Sequence, residues 1–241
     1  MPDSLRARAF VTVFAGLVAV VGLATTARLA LPLSALFPLK AAACFGLVAA
    51  VALARLTDAN HPFAIFGQAN HVTTARAVFV ALVAGAIGED TAPIVAGSVA
   101  AAAMAVTIMD GADGRLARRQ RMSSAFGARY DMEVDALLIL VLSVLAFTHD
   151  KAGAWVIVSG VIRYVFVAAG WTWPWMARPL IPSRRRQAAC VIQIVALIVV
   201  VEPMVMRPIS ELVAAFALGM LSASFAADTW WLVLHRREQM A

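Results

Sequence analysis

Asp110-Gly-Ala-Asp113-Gly114-Arg-Leu-Ala117-Arg118, eight further residues, then Gly127-Ala-Arg-Tyr-Asp131-Met-Glu-Val-Asp135 form the stretch on which the fold turns. Apolar sequence flanks it, Val99 to Met109 before and Ala136 to Phe147 after. Both flanks read as membrane helices, so the aspartates lie at or below the lipid boundary. A buried carboxylate there costs on the order of several kcal/mol unless it is paired or bound to a cation. Four of them, converging from two helices, most simply imply metal.

Helical geometry supports the convergence. At about 100° per residue, Asp110, Asp113, Gly114, Ala117 and Arg118 fall within a band of about 140°. Gly127, Asp131 and Asp135 are spaced four apart and form one stripe on the next helix. Glu133 points about 200° away from Asp131 and shares a face with Arg129, so it is expected to pair there rather than ligate. Hard divalent cations prefer carboxylate oxygens and usually keep water or phosphate ligands. Gly114 and Gly127 remove side chains where a ligand needs close backbone approach. Arg118 can fork onto a phosphate. Together these residues suit a diphosphate-bearing substrate.

The rest of the chain agrees with a membrane setting. Of 241 residues, 62% are hydrophobic and 14% charged, against a soluble norm of about 45–50% apolar. The net charge of +6 does not indicate nucleic acid, because the basic residues punctuate apolar spans as membrane flanks do. Cys44 and Cys190 lie apart in apolar sequence and make neither a zinc site nor a disulfide framework.

Apolar spans run over about 9–27, 41–55, 73–88, 93–117, 125–147, 152–172, 187–202 and 209–234. The fold class is therefore all-α, a polytopic membrane helix bundle of about eight transmembrane helices. Eight spans put both termini on one side. Assigning the chain start to the cytoplasm leaves fifteen Lys and Arg side chains at cytoplasmic ends and only Arg28, Lys40, Lys151 and Arg207 outside. The positive-inside rule then turns the aspartates toward the cytoplasm. Arg6 and Arg8 ahead of the first apolar run also permit a signal peptide; a retained helix is the expectation. The polar connection 56–72 separates two helices from the remaining six.

The aspartate stretch resembles the signature of the CDP-alcohol phosphotransferase (CDP-alcohol phosphatidyltransferase) family: D-x-x-D-G-x-x-A-R, eight residues, G-x-x-x-D-x-x-x-D. Every specified residue and spacing agrees. The resemblance implies a six-helix core over residues 61–241, with 1–60 as a two-helix N-terminal membrane extension. It implies an enzyme of phospholipid biosynthesis that transfers a phospho-alcohol group from a CDP-alcohol to a second alcohol and releases CMP. By position Asp110, Asp113, Asp131 and Asp135 look like ligands for Mg²⁺ or Mn²⁺, two ions in all. Asp135 also resembles the general base, the catalytic residue for the acceptor hydroxyl. Gly114, Ala117, Arg118 and Gly127 look like the CDP-contacting set. The expected setting is a bacterial inner-membrane type of multi-pass protein, and family precedent is a homodimer.

Asn70-His-Val-Thr73-Thr-Ala-Arg76 opens the third span. Asn70 reads either as a helix N-cap or, with Thr73, as part of the CDP-binding set, since the family often carries N-x-x-T-x-x-R there. Arg163, midway along the sixth span, is expected either to snorkel or pair with an acid, and Arg185 and Arg186, at the start of the seventh, to satisfy lipid phosphates, or else all three form the acceptor pocket that the resemblance implies for phosphorylated alcohols. CDP-diacylglycerol with a small polar alcohol is the expected pair. A CDP-choline or CDP-ethanolamine enzyme acting on a lipid alcohol is the alternative. A cation-coupled transporter is the remaining class, but it does not need the Gly114, Ala117 and Arg118 spacing.

Overall fold

A computed structural model describes residues 3–120, 122–178, 180 and 183–235, with side chains for 5–111 within the first of these ranges. Among the described residues the chain forms eight α-helices: α1 (Asp3–Ala30), α2 (Phe37–Arg55), α3 (Gln68–Gly85), α4 (Pro93–Gln120), α5 (Ala125–Thr148), α6 (Val158–Thr172), α7 (Arg184–Val201) and α8 (Ile209–Leu234). Single 3-10 turns at Ala154–Ile157 and Pro174–Ala177 flank α6. The order and number follow the eight apolar spans.

Local sequence fixes several of the helix ends. Pro93 opens α4, where a missing N–H costs nothing. Gly67 precedes α3 with φ of 84°, a backbone that side-chain-bearing residues avoid. Helix α3 therefore starts before Asn70, and Asn70 is not its N-cap. Its Nδ2 instead donates to the Phe66 carbonyl at 2.5 Å from within the first turn. Helix α5 has a side-chain cap that the sequence reading passed over: the Ser124 hydroxyl accepts the Gly127 N–H at 3.0 Å.

Among the described residues, five helical segments are long and apolar enough to cross a membrane: Leu5–Ala30, Phe37–Arg55, Pro93–Gly111, Ala154–Thr172 and Ile209–Leu234. Of the remaining helices, α3 and α7 begin with polar turns, Gln68 to His71 and Arg184 to Arg186, and α5 carries Asp131, Glu133 and Asp135 in its first half. Large apolar side chains such as Phe10, Leu29, Leu47, Ile108, Phe216 and Trp230 face outward. In water such a surface would drive association, whereas lipid accommodates it. The chain is a polytopic helical membrane protein.

The chain divides into two units, Met1–Val141 and Leu142–Ala241, with the division inside α5. In the first, α3 packs against α1, α2 and α4 and is buried on most sides. Its C-terminal half buries Val78, Val80, Ala81 and Val83, while its N-terminal half buries Asn70, Thr73, Thr74 and Arg76. A polar clamp ties the α1–α2 turn to the α3–α4 turn. Glu89 accepts the Ser34 N–H at 2.6 Å and the Ser34 hydroxyl at 2.8 Å, and it pairs with Lys40, whose Nζ also donates to the Ile87 carbonyl at 2.8 Å. Burial alone would raise the Glu89 carboxyl; these hydrogen bonds outweigh it and hold the group below its ordinary value.

In the second unit α7 packs against α8. Lys151 donates to the carbonyls of Glu202, Pro203 and Val205, closing the turn before α8. The Ser210 hydroxyl answers with a 2.6 Å bond to the Lys151 carbonyl.

Candidate active site

The acid stripe of α5 faces the polar half of α3. Asp131 and Asp135, one turn apart, both bond the guanidinium of Arg76, through Nη1 and Nη2 respectively. Asp110, from α4, lies 3.0 Å from the same Nη1. Carboxylate oxygens of Asp110, Asp131 and Asp135 lie within 4.8 Å of one another. Three of the four aspartates singled out by spacing thus converge, from two helices, as the sequence implied. The fourth, Asp113, falls in residues 112–121, whose side chains lie outside the described residues, as do those of Gly114, Ala117 and Arg118.

The donors fit a divalent ion: all are carboxylate oxygens, the ligand type hard cations select. Side-chain exposure is graded across the cluster. Asp110 and Asp131 are 33% and 34% exposed and Asp135 18%, whereas Arg76 is sealed at 1%. The acids therefore present an accessible side, and Arg76 backs them from the protein interior.

Around α5 the first turn is built for close approach. A Cβ on Gly127 would stand 2.8 Å from Asn70 Oδ1, nearer than real side chains come. Glycine is what lets Asn70 lie against the α5 backbone. Thr73, also buried, donates to the Ala69 carbonyl at 3.1 Å, and Tyr130 reaches the Thr74 hydroxyl at 3.3 Å. The loop between α2 and α3 completes this support. His61 Nδ1 lies 2.9 Å from the Ser124 hydroxyl, its Nε2 3.0 Å from the Ile65 carbonyl, and Phe126 N–H donates to the Asn60 carbonyl. His61 packs edge-on against Phe126 and Phe63. Asn60 and His61 were read only as part of a polar connection; the one available signal was the Ser123-Ser124 pair ahead of the α5 stripe.

Arg76 was read as a cytoplasmic charge and as the last residue of the N-x-x-T-x-x-R stretch, without a role of its own; among the described residues it is the largest fully buried side chain. Its isolation from water comes from packing between α3, α4 and α5, which no local pattern encodes.

In the second unit the basic residues at the start of α7 meet an acid on α8. Arg185 Nη2 lies 2.5 Å from Asp228 Oδ1, and its Nη1 donates to the Ser224 carbonyl at 2.6 Å and the Ser224 hydroxyl at 3.2 Å. Arg186 reaches the same Asp228 oxygen at 3.2 Å. Asp228 thereby joins α8 to α7. Arg163 is half-buried in α6.

Fold and cluster together describe a helical membrane protein with a gathered set of carboxylates. A sequence model of the family described as CDP-alcohol phosphatidyltransferase matches residues 66–227, about two thirds of the chain, and the chain belongs to that family. No curated protein and no solved structure matches it. Membership makes it a transferase of substituted phosphate groups, acting on a CDP-alcohol and an alcohol acceptor, in a family that depends on divalent metal.

Proposed function

We propose that the chain transfers a phosphatidyl group from CDP-diacylglycerol to a small polar alcohol, releasing CMP, at the cytoplasmic side of the membrane. The observation that carries this reading is the gathering of Asp110, Asp131 and Asp135 oxygens within 4.8 Å in a bundle of otherwise apolar helices. These three, with Asp113, would hold the divalent ions. When bound, the ions supply positive charge that stabilises the diphosphate as a P–O bond breaks.

The chain's own groups do the rest. Asn70, Thr73, Gly114, Ala117, Arg118 and Gly127 bind the CDP portion, with Gly127 allowing Asn70 its place against α5. Arg118 takes charge on the phosphates through its forked donors. The acceptor hydroxyl attacks the phosphorus that joins the lipid to CMP, the bond to CMP breaks, and Asp135 accepts the hydroxyl proton. Arg163, Arg185 and Arg186 orient the acceptor. Residues 1–60 are an addition to a core of residues 61–241, an assignment supported by the start of the family match at residue 66.

The test is purified protein with CDP-diacylglycerol and Mg²⁺ against glycerol phosphate, inositol phosphate, serine, choline and inositol, with CMP release as the readout. One acceptor is expected to raise CMP release well above the level without acceptor, with chelator abolishing it. Turnover of CDP-choline or CDP-ethanolamine with diacylglycerol, and none of CDP-diacylglycerol, would replace the proposed pair with the alternative one.

A further inference from the structure

Helix α3 contributes a cation to a cluster otherwise made of acids. Arg76 is 1% exposed, bonds Asp131 and Asp135 through separate nitrogens, and lies 3.0 Å from Asp110. These are the same residues whose oxygens lie at ligand spacing. Each offers Arg76 an oxygen that a divalent ion would also seek. A fixed positive charge at this range opposes a second cation, and more strongly in a poorly solvated bundle than in water. Without that charge, three carboxylates so close would repel one another and favour protonation or separation. Among the described residues one guanidinium meets three carboxylates, so their charge is reduced without being cancelled.

We propose that Arg76 is a positioning residue that stands in for the metal. It holds Asp110, Asp131 and Asp135 together before a divalent ion binds, and it yields part of their oxygens when one does. The inference rests on the metal-holding role proposed above for these aspartates. Guanidinium and metal then compete, and residue 76 sets the affinity of the cluster for cations. Lysine would preserve the charge but not the planar fork that spans two carboxylates.

The experiment is titration of the purified full chain with Mn²⁺ alone, following the paramagnetic signal of the free ion. Thermal unfolding in chelator and in saturating Mn²⁺ accompanies it. Wild type is compared with Arg76→Met, Arg76→Gln and Arg76→Lys. The Met and Gln variants are expected to unfold at lower temperature in chelator, yet to bind Mn²⁺ with a Kd lower by about tenfold or more. They should also gain more unfolding temperature from Mn²⁺ than wild type does. A variant that folds only once Mn²⁺ is present supports the proposal equally. Arg76→Lys keeps the charge and is expected within about threefold of wild type. Met and Gln variants that bind Mn²⁺ no tighter than wild type overturn the proposal, because a side chain that merely packs would loosen the site when removed. A tenfold loss of affinity in Arg76→Lys overturns it as well. Failure of wild type itself to bind Mn²⁺ is a different result, and it removes the metal-holding role of the aspartates instead.

Discussion

Among the described residues, one arginine faces three aspartates in the first unit, and two arginines face one aspartate in the second. Both clusters join neighbouring helices, and both combine ions that would be costly alone in an apolar setting. Their balances are opposite. The Arg76 cluster is left with surplus negative charge and suits cations. The Asp228 cluster is left with surplus positive charge and suits an anion. Exposure sharpens the contrast: the acids of the first are partly open over a sealed arginine, while Arg185 of the second is 43% exposed over a buried aspartate. In each case the minority charge is the buried one.

The largest effect should come from removing majority charges in the first cluster. Asp110→Asn and Asp135→Asn are each expected to lower Mg²⁺-dependent CMP release by about a hundredfold or more, with expression unchanged. Near-normal turnover by either purified variant would remove the assigned roles.

The second cluster should respond in a different quantity. Arg185→Gln combined with Arg186→Gln is expected to raise the KM for the acceptor by about tenfold while leaving the KM for the CDP-alcohol near its starting value. Equal changes in both constants would mean that the two clusters do not divide the substrates as their charges suggest.

A smaller effect is expected at the wall of the first cluster. Gly127→Ala places a Cβ at 2.8 Å from Asn70 Oδ1, so α5 or Asn70 must shift. The expected result is a several-fold higher KM for the CDP-alcohol and a stability loss of about 1–3 kcal/mol, checked by steady-state kinetics and thermal unfolding.

The smallest catalytic effect belongs to a third ionic contact, Glu89 with Lys40 and Ser34. Glu89→Gln should cost about 1–3 kcal/mol of stability with turnover unchanged. Because folding lowers the pKa of Glu89, its contribution is complete above the unfolded-state carboxylate value of about 4.3. It fades as pH falls through the lower folded value. Unfolding temperatures of wild type and Glu89→Gln should therefore differ at neutral pH and approach one another in acid. A constant gap across that range would contradict the assignment.

The two clusters were legible in the sequence to different degrees. Asp110, Asp131 and Asp135 declared themselves because helical spacing alone puts them on facing stripes, and membrane flanks make unpaired acids improbable. The helix limits followed from hydropathy, with shifts of a few residues where polar turns extend α3 and α7. Asn70 was misread as a possible cap because Gly67, with its positive φ, had already turned the chain into α3. Arg76, His61 and the pairing of Asp228 with Arg185 and Arg186 depend on contacts between residues 34 to 63 positions apart. Such contacts leave no periodic trace. Lys40 likewise looked like one of four outer charges, and only packing reveals that it anchors Glu89.

The most direct test is an anomalous scattering experiment on crystals of the full chain grown with Mn²⁺. The account predicts a strong peak ligated by Asp110, Asp131 and Asp135, with Asp113 joining them and Arg76 released from at least one carboxylate. A map with no peak there, and Arg76 still bonded to all three acids at saturating Mn²⁺, would contradict it.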